Sequence, residues 1–168
     1  MRWAIGLAFF LFGLSGVANA QVEPSQIAGA WVCDQAGDSG RFGVEMEFEH
    51  KLAFSADGTF THGMVGIARG EVSGSGPRSV TVRTFVNGTW KVDGYYEKGS
   101  LLLFNNTEAK VTDLLLNGYS VDPGPYQQAF IVEMVGERGG WASVVDDQLM
   151  LDYGGPMLCS RQALADEN

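Results

Sequence analysis

Both histidines of the chain, His50 and His62, lie in one stretch of alternating residues that also holds Met64. Two imidazoles and a thioether form a ligand set that suits copper. Whether they meet depends on one turn. If Ala56-Asp57-Gly58 is a three-residue loop with Gly58 left-handed, Phe54 faces Phe60, Leu52 faces His62 and His50 faces Met64. His50, His62 and Met64 then share one inward face, with the histidines diagonal neighbours roughly 7–8 Å apart at the backbone. A two-residue Asp57-Gly58 turn slips the pairing by one residue and sends His62 to the other face. Without a metal, the same residues read as buried histidines bonded to their neighbours, with Met64 filling a gap.

Other chemistry-bearing residues are sparse. Asp113 and Glu133 interrupt the apolar runs VTDLLL and FIVEMV. They form a candidate carboxylate pair for acid/base work, or simply outward-facing positions. Asp34 and Asp38 lack the acidic set and closing Glu of an EF-hand calcium loop. The chain has no nucleophile elbow, HExxH zinc site or phosphate-cradling glycine loop. No catalytic residue and no cofactor is therefore assigned. Asn87-Gly88-Thr89 and Asn105-Asn106-Thr107 have sequon form but also read as turns.

The N-terminus sets the context for the two cysteines, Cys33 and Cys159. Arg2 precedes the apolar run Trp3–Leu14, and Ala18-Asn19-Ala20 is a small-x-small cleavage site. The run is shorter than the ~20 apolar residues that span a bilayer. Residues 1–20 read as an export signal and 21–168 as one domain, periplasmic or secreted, with no membrane span; an uncleaved anchor helix is the alternative. In an oxidising compartment two cysteines are expected to form a disulfide rather than a thiol site. With 20 acidic against 11 basic residues and a net charge of −9, the surface repels nucleic acid and anionic membranes.

The elements that must position these residues are nearly all strands. In VEMEFEHKLAF (44–54) apolar residues and His50 alternate with Glu45, Glu47, Glu49 and Lys51, the pattern of a half-buried antiparallel strand. Further strands are expected at 59–69, 79–86, 88–92, 100–105, 109–116, 127–135, 142–145, 148–153 and 157–161. Turns are expected at Asp57-Gly58, Asn87-Gly88, Asp93-Gly94, Asn117-Gly118 and Asp146-Asp147. Helix is expected only as a short turn near Glu23–Ile27. The glycine clusters at 70–77 and 136–140 read as mobile loops. So many short strands with tight turns mean a β-sandwich or a β-barrel.

The order GAWVC, FSADGTF, VNGTWKVDG, SLLLF and DQLMLDY…LCSR resembles the small bacterial lipocalin-like (calycin-type) exported domains. The shared features are a Gly-x-Trp entry strand, an Asp-Gly hairpin, a second Gly-x-Trp strand (Gly88-Thr89-Trp90) and a late strand ending in Arg161. The resemblance implies an all-β, antiparallel lipocalin-like barrel of about 8–10 strands; in a closed barrel first and last strands are adjacent, which is where the expected Cys33–Cys159 disulfide would join them. It also implies that Arg161 lies over Trp31 at the closed end, a cation–π contact that stabilises by about 0.5–2 kcal/mol.

Three function classes follow. In the first, the barrel binds a small apolar ligand inside, with Phe48, His50, Phe54, Phe60, Trp90 and Phe130 as candidate lining residues; small barrels are also often filled by their own side chains. In the second, loops 70–78 and 117–127 bind an envelope protein partner, as an inhibitor or accessory module. The third is an enzyme, for which only His50 with His62 is a seed. An outer-membrane barrel is disfavoured because the charged face of 45–51 would meet lipid.

Overall fold

The computed structural model describes residues 21–35, 44–72, 76–96, 99–131 and 134–163. Residues 1–20, the expected signal, lie outside these, as do Asp38 and Glu133. The chain runs through helix α1 (Pro24–Ile27), β1 (Gly29–Gln35), β2 (Val44–Phe54), β3 (Thr59–Val72), β4 (Gly76–Tyr96), β5 (Gly99–Leu116) and β6 (Tyr119–Val121). A 3-10 turn (Gly124–Tyr126) leads into α2 (Gln127–Ile131), followed by β7 (Gly136–Val145), β8 (Gln148–Asp152) and β9 (Pro156–Arg161).

The strands are antiparallel, in the order β4-β3-β2-β1-β9-β8-β7-β5-β6, and a further β4–β5 pairing closes eight of them into a barrel. The architecture is consistent with the lipocalin-like fold implied by the resemblance. First and last strands are neighbours: Cys33 pairs with Cys159 in register and the two form a disulfide. Glu45, Glu47, Glu49 and Lys51 all face outward and are exposed.

The first hairpin adopts the three-residue loop. Gly58 is left-handed at φ 85°, and the register places Phe54 against Phe60, Leu52 against His62 and His50 against Met64. Asp57 secures the turn by accepting hydrogen bonds from the Thr59 N–H and hydroxyl. Asn117-Gly118 and Asp146-Asp147 are turns with positive φ at both residues, as expected of tight hairpins.

Several expectations are corrected. Asn87-Gly88 and Asp93-Gly94 are not turns; both lie inside the 21-residue strand β4, at register shifts against β5. Gly88 is required for close approach instead: a Cβ there would sit 2.2 Å from the Asn105 carbonyl oxygen. Strands expected at 79–86 and 88–92 are thus one, and those at 100–105 and 109–116 merge into β5. Residues 136–140 are strand rather than loop, since the bare glycine backbone lets β7 lie close to its neighbours; a Cβ on Gly140 would be 2.8 Å from the Asp152 carbonyl oxygen. Residues 70–72 and 76–77 likewise belong to β3 and β4. The strand expected over 127–135 is instead helix α2 at 127–131. A short apolar run does not distinguish strand from helix, and Pro123 and Pro125 favour a helical start just before it.

Candidate functional site

The inside of the barrel divides into two halves. In the closed half, Trp31, Phe54, Phe60, Trp90 and Phe104 are all buried. Phe54 stacks on Phe60 at 6.2 Å and meets the Trp90 ring edge-on at 5.2 Å, while Phe60 meets Phe104 edge-on at 5.2 Å. Ile27 and Val22 plug the base, with the Val22 N–H donating to the buried Ser100 hydroxyl. The Arg161 guanidinium lies 4.3 Å from the centre of the Trp31 ring and donates to the carbonyls of Ala28 and Gln26. Gly29 makes room for it: a Cβ there would stand 2.6 Å from Arg161 Nη1. The Gly-x-Trp motif is thus a closure device. Phe54, Phe60 and Trp90, candidate lining residues, are packed against one another here.

Above this plug runs a seam of buried polar groups. His50 Nε2 lies 3.0 Å from Gln35 Oε1, and His50 Nδ1 lies 2.9 Å from His62 Nε2. A carboxamide oxygen only accepts, so Nε2 of neutral His50 carries the proton and its Nδ1 accepts from His62 Nε2–H. Both nitrogens of His50 are engaged, and a metal would have to break one of these bonds. Met64 stands opposite His50 as the hairpin requires, so the three candidate metal ligands do share one face. Burial pushes His62 down to about 3, with the neighbouring His50 adding to the effect; burial also lowers His50. The Tyr153 ring meets His62 edge-on at 5.9 Å, and its hydroxyl accepts from Asn106 Nδ2, which also donates to the Met134 carbonyl. Burial raises the Tyr153 phenol.

In the open half the side chains leave space between them. A cavity of about 210 Å³ lies between β2, β3 and β4, lined mainly by Met46, Phe48, Met64, Val80, Val82 and Met134. Its accessible wall is apolar, although Thr84 also borders it. Met46 is 36% exposed and marks the outer rim. An engineered apolar cavity of about 150 Å³ accepts benzene, so this one suits an occupant of roughly eight to ten heavy atoms.

Of the six candidate lining residues, only Phe48 borders the cavity. His50 lies in the seam, and Phe130 falls in α2, its side chain outside the described residues. Val80 and Val82 lie in the strand expected at 79–86, whereas Met134 lies in the segment expected as a strand over 127–135, where the structure instead forms helix α2 at 127–131. Asp113 is ion-paired with Arg83 and exposed Asp34 faces outward, while their candidate partners Glu133 and Asp38 lie outside the described residues. Among the described residues no helix is long and apolar enough to cross a membrane, and no cluster of three or more His, Cys, Asp or Glu side chains could hold a metal. No protein-family model matches the chain, and comparison with curated proteins finds no significant relative.

Proposed function

We propose that this is an exported, non-enzymatic barrel that binds a small apolar molecule in the open half of its interior. The cavity lined by Phe48, Met64 and Met134 carries the reading. It stands in a barrel whose other half is tightly filled, and it offers apolar surface with no polar atom to orient a reacting group. The disulfide is compatible with an oxidising compartment. The outward charges of β2 support a barrel surrounded by water, since such charges facing lipid would be penalised. Reversible burial of a ligand against flexible methionine side chains suits a carrier or sensor.

Native mass spectrometry of protein purified without detergent or organic solvent tests this. The expected result is an adduct that survives transfer and is lost on unfolding, of a mass suited to the cavity. A bare protein mass, with no adduct after incubation with fluorobenzene, contradicts it.

One observation favours a second reading. Tyr119, at the start of β6, is 79% exposed and Tyr126, at the end of the 3-10 turn, 45% exposed, on either side of Pro123 and Pro125. Exposed tyrosines at a loop tip suit a protein partner, and loss of a pulled-down envelope protein on Tyr119→Ala would support that reading.

A further inference from the structure

β5 is paired on one side with β4 along nearly its whole length, but its other side is served by two strands that do not meet. β7 covers Ser100–Asn106 and β6 covers Leu114–Leu116, leaving residues 107–113 without a strand partner on that side among the described residues. Such a gap exposes backbone donors and acceptors that need partners. Helix α2 fills it by a side-chain substitution. Gln127 Oε1 accepts from the Val111 N–H at 3.1 Å, and Gln127 Nε2 donates to the Val111 carbonyl at 3.2 Å. One carboxamide thus stands in for one residue of a missing strand. Behind it, Ile131 packs against Val82, Val111 and Leu114, and Met134 forms part of the cavity wall.

From this we infer that the gap in the barrel wall beside β5 is a lateral portal to the cavity, and that α2 is its door, latched by Gln127 on Val111. The inference rests on the ligand-binding reading above. A strand could not serve this purpose, because opening it would break a ladder of backbone bonds. The latch holds through two hydrogen bonds to a neutral amide, each a modest net contribution, while the flanking β5–β7 and β5–β6 ladders stay intact. Swinging Gln127 and Ile131 outward would uncover Val111 and give access past Met134 to the cavity interior.

Fluorobenzene, a seven-heavy-atom apolar probe, measures this through ¹⁹F exchange spectroscopy on the full mature chain. The wild type should show a bound resonance. Gln127→Ala should raise the association and dissociation rates together by about tenfold, the effect of losing roughly 1.4 kcal/mol of latch, and leave Kd within about twofold. Unchanged rates in a folded Gln127→Ala variant, with the probe still bound, would overturn the portal and leave ligand binding intact. Absence of any bound resonance in the wild type would overturn both. Hydrogen exchange of the wild type needs no variant: the Val111 amide should exchange at least 100-fold faster than those of Leu102 and Leu149 deep in the barrel. Equal protection would show that the door does not open separately from the fold.

Discussion

The two halves of the barrel are built from the same strands and differ in what faces inward. β2 contributes Leu52 and Phe54 to the closed half and Met46 and Phe48 to the open half; β3 contributes Phe60 to the first and Met64, Gly66 and Ala68 to the second. Large rigid rings from facing strands meet in one half, so the interior is filled. Small residues and flexible thioethers alternate in the other, so space remains. Between them, the Gln35–His50–His62 seam sets a polar boundary. In this barrel, side-chain size along two neighbouring strands decides where a cavity forms, within an unbroken ladder.

The largest test of that contrast is truncation. Phe104→Ala, in the ring cluster, should cost about 4 kcal/mol of unfolding free energy, the transfer loss and the new cavity adding together. Met64→Ala, at a wall already bordering open space, should cost about 1–2 kcal/mol. Urea unfolding measures both, and equal costs would mean the open half is as tightly packed as the closed one.

The seam between the halves gives the next largest effect, through pH. Both histidines are held below the ordinary imidazole range by burial. Their stabilising contribution is therefore complete above pH 6.5, where the unfolded chain is also neutral, and declines as pH falls, because the unfolded chain then binds more protons. The loss for His62 is about 1.4 kcal/mol per pH unit, so roughly 3 kcal/mol by pH 4, and it levels off near pH 3. Thermal melts across this range should show the decline, and His62→Gln should flatten it. A melting temperature independent of pH between 7 and 4 would place the imidazoles in water.

How much of this could be read in advance varies by element. The β2–β3 hairpin was legible down to each facing pair, because strict alternation and an Asp-Gly loop leave two registers, and the structure adopts the one that puts His50, His62 and Met64 on one face. The disulfide followed from an export signal and a single pair of cysteines, the Trp31–Arg161 contact from the resemblance, and both are present. Gly88 and Gly94 misled, since a glycine that permits a turn and a glycine that permits close approach look alike in sequence. The run containing Phe130 misled for another reason: its fate depends on the gap beside β5, which is a tertiary fact. The cavity was least legible. Inward-facing aromatic residues were the obvious candidates, yet rings that find one another fill space, and the lining falls to residues whose neighbours are too small to meet them.

A smaller effect refines the contrast within the open half. A Cβ at Gly66 would lie 3.2 Å from the Phe48 ring, so Gly66→Ala should push Phe48 toward the cavity and cost less than about 1 kcal/mol of stability. Fluorobenzene affinity should fall by about five- to tenfold, measured by titration calorimetry. Unaltered affinity would place the probe elsewhere.

The most direct measurement of the central claim is a crystal of the mature chain pressurised with xenon, which enters apolar cavities and leaves filled cores alone. The account predicts one strong anomalous peak among Phe48, Met64, Val82 and Met134, and none among Phe54, Phe60, Trp90 and Phe104. A peak within the ring cluster, or no peak beside Met134, would contradict the division of this barrel into a filled half and a binding half.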